Sequence, residues 1–423
     1  MSSFNPDLIP KFFRLRQEFE RPRLDNIGGR VQSELARILP ADLAGLSVAV
    51  TVGSRGIANI DVVTRNCVES LKTRGAAPFI VPAMGSHGGA TAEGQTQVLA
   101  SLGVTETAMG CPIRSSMEVV EVCQAAEGFP VYFDRFAFEA DRVLVINRIK
   151  PHTRFAGAIE SGLMKMMLIG LGKQKGAEVY HQVIHNYSFD QIVRSVAKEV
   201  IAKCSIIGGL AILENAYEET GGIFAAEPTE IESREAEFLE TVKSWMPKLP
   251  FDKSELLMID QIGKNISGTG MDTNVIGRKK NDHAAIEGEK PDIHHIYVRG
   301  LTEATHGNAS GIGLSELCHR RVIESMNQEA TRMNCITAGH ITGGMLPVDF
   351  ESDFVALKTA CQLSGFVPPQ EVTAMWIQDT LHLAEIECSE AFLSQARERG
   401  LEILSPPSPL EFDSQGNLLP RFP

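Results

Sequence analysis

Short apolar, β-branched runs recur along the chain, each ending in a glycine-containing loop and followed by a segment with helical spacing. Leu46 to Val52 is one such run. It ends in Gly53-Ser-Arg-Gly56 and reads as a buried strand entering a turn. From Ile60 to Arg74, Val63, Cys67, Val68 and Leu71 fall on one helical face. Pro78 to Pro82 predicts a second strand, Met84 to Ala90 a glycine-rich loop, and Thr91 to Gln95 the opening of another helix. Arg142 to Asn147 predicts a third strand. It leads through Arg148-Ile-Lys-Pro-His152 into a helix from about Glu160 that is apolar on most sides. Gly208 to Glu214 reads as a strand, and Pro228 to Trp245 as an acidic amphipathic helix with its proline in the first turn. This order predicts an α/β fold with parallel-type sheets. Ligands of such sheets bind at the carboxyl ends of strands, where Arg55 and His87 fall.

Pro247 and Pro250 interrupt the pattern and predict two α/β domains, 1–248 and 249–423, the second ending in an extended tail over 405–423. The second domain opens with Glu255 to Asp260, a strand running into Gln261-Ile-Gly-Lys264. A further strand is expected within 293–301, and helical stretches near 314–327 and 355–363.

Composition narrows the function classes. The 423 residues are 43% hydrophobic and 22% charged, which suits a packed globular chain and not a disordered one. A net charge of −13 argues against a nucleic-acid partner. The one basic cluster, Arg278-Lys279-Lys280, reads as a solvated loop. No apolar run reaches the roughly 18 residues of a membrane span, and the first 25 residues contain no secretory apolar region. The eight cysteines are scattered and form no C-x-x-C pair. They suit a reduced, cytoplasmic location better than a disulfide scaffold or a cysteine zinc site.

Several residues carry candidate chemistry. His87, between Ser86 and Gly88-Gly89, is either a loop histidine on a tight turn or an acid/base group that backbone can bring close to a ligand. His152 follows a strand and is either a capping or a catalytic imidazole. His181 and His185 are four apart, a spacing that places both on one face of a helix, where they form either a surface pair or metal donors. Gln182 stands where a zinc protease needs Glu. Lys165 lies in the apolar run Gly162 to Leu168, where an amine either snorkels to solvent or is chemically used. Gln261 and Lys264 form either a polar turn or a contact for a carboxylate or phosphate. Glu160 reads as a carboxylate compensating a helix dipole. No Walker loop and no G-x-G-x-x-G opening the first helix is present, which disfavours nucleotide triphosphates and ordinary NAD binding.

Taken in order, Gly53-Ser-Arg-Gly56, Gly85-Ser-His-Gly-Gly-Ala-Thr91, Lys150-Pro-His152 through Ser161-Gly-Leu-Met-Lys165, His181 and Asp260-Gln-Ile-Gly-Lys264 resemble the nickel-pincer lactate racemase family. The resemblance implies two α/β domains with the active site in the cleft between them. It implies a nickel-bearing pyridinium mononucleotide covalent to Lys165, with nickel taking His181, or second His185. It also implies His87 and His152 as the acid/base pair, and Arg55, Gln261 and Lys264 as substrate contacts. Cofactor-assembly enzymes are then expected partners. The implied reaction is racemisation or epimerisation of a 2-hydroxy acid. The α-hydrogen leaves as hydride, because a carbanion beside a carboxylate is poorly stabilised, and two imidazoles serve the two stereoisomers. The alternatives are a metal-independent 2-hydroxy-acid enzyme on this fold and a non-catalytic small-molecule or metal-binding protein. The family's usual Asp-x-Thr-Arg-Pro loop is here Val52-Gly-Ser-Arg-Gly56, and its Ser-Gly-Gly element is Ser161-Gly-Leu163. These departures predict a substrate other than lactate itself.

Overall fold

The computed structural model describes residues 5–54 and 56–422. The chain forms two α/β units. In place of one run over residues 1–248, one unit is Glu20–Met246 and the other joins Met1–Phe19 to Pro247–Pro423. Strand β1 (Phe12–Arg16) is the element that carries the amino-terminal segment into the second unit.

In the unit Glu20–Met246 the strands are β2 (Ser47–Val52), β3 (Ala77–Pro82), β4 (Val119–Gln124), β5 (Pro130–Asp134), β6 (Arg142–Arg148), β7 (Ile206–Glu214) and β8 (Thr220–Ala226). Five of them form a sheet in the order β3-β2-β6-β7-β8. All its pairings are parallel except β7 with β8. β4 and β5 form a separate hairpin. Alternation along the strands sorts their side chains onto two faces. Val48, Val50, Val52, Leu144 and Ile146 pack with Val31, Leu35, Val63 and Leu71 from the helices Ile27–Ile38 and Ile60–Lys72. Ala49, Val143 and Val145 pack on the other side with Met164, Met167, Val193 and Leu239. A sheet covered on both faces explains why its strands read as continuous apolar runs.

The expected single helix from Glu160 is three pieces: one α-turn at Leu163–Lys165, a π-helical turn at Met166–Gly170, and the helix Lys173–Val183. Close packing accounts for the glycine at 170. A Cβ there would lie 2.6 Å from Met166 Sδ and 2.8 Å from Ala83 O. The helix expected from Pro228 begins at Ile231.

The second unit holds β9 (Lys253–Ile259), β10 (Asp292–Val298), β11 (Leu317–His319), β12 (Val348–Phe350), β13 (Ala374–Ile377), β14 (Glu385–Ser389) and β15 (Glu402–Ile403). With β1 they form the sheet β12-β11-β10-β9-β13-β14-β1-β15. The segment expected to be helical over 314–327 contains strand β11 before the helix Arg320–Ser325. Arg278, expected in a solvated loop, is fully buried and pairs with Glu316 at 2.7 Å. No helix among the described residues is long and apolar enough to cross a membrane.

Candidate active site

The sheet order of the unit Glu20–Met246 fixes where a ligand can sit. The chain leaves β2 for β3 on one side and returns to β6 on the other, so the topology reverses between β2 and β6. Loops leaving the carboxyl ends of strands beside such a reversal form a crevice. Three adjacent strands therefore deliver Gly53 and Ser54, the His87 loop and the His152 segment to one edge. The π-helical turn packs among these loops. A Cβ on Gly53 would be 2.9 Å from Met166 Cε, and Gly85 N–H donates to Gly170 O at 3.1 Å. π-turns inside helices recur at functional sites.

His87 is exposed on its glycine loop. Gly88 and Gly89 both take left-handed backbone, with φ of +67° and +65°, which other residues adopt at a cost. Beneath the loop, Gln95 is fully buried and its side-chain amide donates to Gly85 O at 2.9 Å and His87 O at 3.3 Å. Lys173 Nζ donates to Gln95 Oε1 at 3.0 Å and Pro82 O at 2.5 Å, and lies 3.2 Å from Asp134 Oδ2. Burial pushes Lys173 down and Asp134 up, each toward its neutral form, against their mutual attraction.

Lys165 ends the α-turn that opens this stretch and is half-buried; the lysine with no exposed surface is Lys173. The α-turn is capped by Glu235, from the helix Ile231–Trp245. Its carboxylate accepts from Met164 N–H at 2.9 Å. Glu235 is 1% exposed, and burial pushes it up to about 7 despite hydrogen bonds from the Met164 and Leu163 backbone. Gly162 makes room for it, since a Cβ there would fall 2.4 Å from Glu235 Oε1. Glu160, read from sequence as the dipole-compensating group, instead accepts from His152 N–H at 2.8 Å and pairs with Lys243 at 3.3 Å. The backbone at His152 is thereby pinned, as is the turn before Lys165.

His152 Nδ1 accepts from Arg154 N–H at 3.0 Å, which places the proton of the neutral ring on Nε2. The ring stacks on Phe155 at 4.4 Å between centroids. Phe155 meets Tyr180 edge-on at 6.3 Å, and Tyr180 lies 5.2 Å from His181. One aromatic cluster therefore links His152 to His181. His181 is half-buried, and burial followed by the neighbouring His185 lowers its pKa, favouring the neutral ring that a metal needs. His185 lies past the end of the helix at Val183 and is exposed.

Among the described residues no three of His, Cys, Asp and Glu gather as a metal cluster. A protein-only metal site does not fit. A half-buried lysine and a neutral imidazole on one interrupted helix do fit a group that brings its own donors and takes one nitrogen from the protein.

Arg55 lies outside the described residues. In the other unit, Gln261 is exposed just past β9, its N–H donating to Gln378 O at 3.0 Å. Lys264 is half-buried and its Nζ donates to Gly268 O at 2.6 Å. Sequence reading missed Lys173, Gln95, Asp134 and Glu235. The glycines at 170 and 172 were the available signal that the apolar helix breaks just before Lys173.

Residues 48–190 match the family model described as the lactate racemase N-terminal domain. No curated protein matches the chain. Among solved structures, the lactate racemase apoprotein from Thermoanaerobacterium thermosaccharolyticum is similar at 12% identity and a TM-score of 0.53, over 84% of this chain and 96% of that one. A structural-genomics protein from Thermotoga maritima is similar at 13% identity and a TM-score of 0.50, over 78% of this chain and 84% of that one. At such identities these two structures establish the shared α/β fold. Residues 48–190 are thus homologous to the N-terminal domain of the lactate racemase family.

Proposed function

We propose that the protein is a racemase or epimerase of a 2-hydroxy acid other than lactate itself. The observation that supports this most is the delivery of His87 and His152 from β3 and β6 to either side of the β2 loop, next to the turn that carries Lys165. In this reading Lys165 holds a nickel-bearing pyridinium mononucleotide through its amine, and His181 gives the nickel one nitrogen. When bound, that group supplies a reversible acceptor for the substrate's α-hydrogen as hydride.

The chain's own residues manage the proton. To take the hydroxyl proton of one stereoisomer, His152 must present an unprotonated Nε2, so on substrate binding its ring exchanges the Arg154 N–H contact at Nδ1 for its own proton there, and the ring later returns the hydroxyl proton to the keto acid's oxygen. His87 takes the hydroxyl proton of the opposite stereoisomer from the other side. Each well-placed acid/base group contributes roughly a hundred- to ten-thousandfold in rate. Arg55, Gln261 and Lys264 are proposed to hold the carboxylate. Enzymes that assemble the cofactor are required partners.

The test uses protein purified from a host that makes the cofactor, incubated with a panel of single-enantiomer 2-hydroxy acids in D2O. Interconversion with the α-hydrogen retained is expected. Deuterium at the α-carbon, lactate as the best substrate, or no interconversion of any acid would each contradict the corresponding part of the proposal.

A further inference from the structure

We propose that Lys173 is a positioning residue whose buried ammonium locks the His87 loop to the helix that carries His181. The inference rests on the reading above for its catalytic meaning, and on geometry for its mechanical one.

Lys173 opens the helix Lys173–Val183 in left-handed backbone, φ +54°, with no exposed surface. Glycine would take that backbone at less cost, and a buried amine is unfavourable unless paired. The side chain offsets both penalties, because its amine meets three partners in separate elements, two through hydrogen bonds and one through an ion pair. One hydrogen bond reaches the last residue of β3, at Pro82 O. The other reaches Gln95 Oε1 on the helix Ala92–Ser101. The ion pair is with Asp134, at the end of β5. Gln95 then passes the connection on, since both hydrogens of its amide go to carbonyls of the glycine loop, Gly85 O and His87 O. A loop containing Gly85, Gly88 and Gly89 at positive φ has little stiffness of its own. The carbonyl of His87 is thus tied, through two side chains, to the first residue of the helix whose ninth residue is His181. An imidazole that must meet one substrate oxygen gains from such a tie, because small misplacements cost large factors in rate.

Gln95→Met is the informative variant, because it cuts the loop carbonyls away while leaving Lys173 beside Asp134. The double variant Lys173→Met with Asp134→Asn removes the anchor without stranding a charge. Hydrogen exchange by mass spectrometry on the full chain should show at least tenfold faster exchange in the peptide covering Gly85–Ala90 for both. Protection in strand Ile206–Glu214 should stay unchanged. Exchange in Gly85–Ala90 that matches the parent protein overturns the proposal, whatever the activity. With cofactor-loaded enzyme, Gln95→Met should lower kcat at least tenfold with KM within about twofold; an unchanged kcat also overturns it. Faster exchange in a protein that interconverts no hydroxy acid would sink the functional reading and leave the mechanical coupling standing.

Discussion

Replacing Glu235 by glutamine should remove a specific slope from the stability of the unit Glu20–Met246 between pH 4.5 and 8. In the folded protein the Glu235 carboxyl is 1% exposed and burial raises it from 4.5 to about 7. A carboxyl raised on folding gives stability that is fully present below its unfolded value and is lost as pH climbs through the folded one. The window is therefore about 4.5 to about 7, and the separation corresponds to roughly 3 kcal/mol. The glutamine side chain of the Glu235→Gln variant cannot ionise and keeps an oxygen for the Met164 N–H. The measurement is urea unfolding of both proteins at half-unit steps of pH. It is followed by tryptophan fluorescence with both proteins carrying Trp376→Phe, which leaves the emission to Trp245, on the same helix as Glu235. The variant should be less stable than or equal to the parent near pH 4.5, and should gain about 3 kcal/mol relative to it by pH 8. Parallel stability curves would refute the burial-driven shift and the reasoning built on it.

Other perturbations follow from the same geometry. Gly162→Ala should destabilise the same unit by about 1–3 kcal/mol, the usual cost of overpacking. The reason is that the new Cβ would meet Glu235 Oε1 at 2.4 Å and Ile149 Cδ1 at 2.5 Å; a shift in the thermal midpoint checks it. Gly88→Ala combines φ +67° with a Cβ 2.6 Å from Gln95 N and Gly94 C, so it should displace the His87 loop and lower kcat more than tenfold in loaded enzyme. Brief alkylation of native protein, read by peptide mass, should label Cys123 before any other thiol. The seven remaining cysteines are buried, and burial holds Cys67 and Cys388 far above the usual thiol range.

The parallel strands were legible because both their faces are covered, so β2, β3 and β6 appear as uninterrupted apolar runs. The partners of β1 were not. Its pairing with β14 joins Phe12 to Ser389 across most of the chain, and nothing local encodes that. The β4–β5 hairpin was missed because β4 is only half-buried and its alternation is weak. The histidines stood out through their glycine and proline neighbours and the strands before them. Their supports did not. Glu235 sits in an acidic amphipathic helix and looks like one more surface carboxylate until Gly162, from a distant segment, makes room for it. Lys173 looks like an ordinary helix lysine, since a positive φ leaves no trace in the residue type. Lys165 was singled out for its apolar neighbours. The structure shows those neighbours to be buried, with Lys165 itself half-buried at the start of the π-turn.

The proposed function requires a nickel-bearing group covalently held by Lys165. Intact mass and nickel content, measured on parent protein and on Lys165→Ala from the same cofactor-making host, test it most directly. An added mass and nickel are expected on the parent protein, and the loss of both together in the variant. Equal nickel and equal added mass in the two proteins would contradict it.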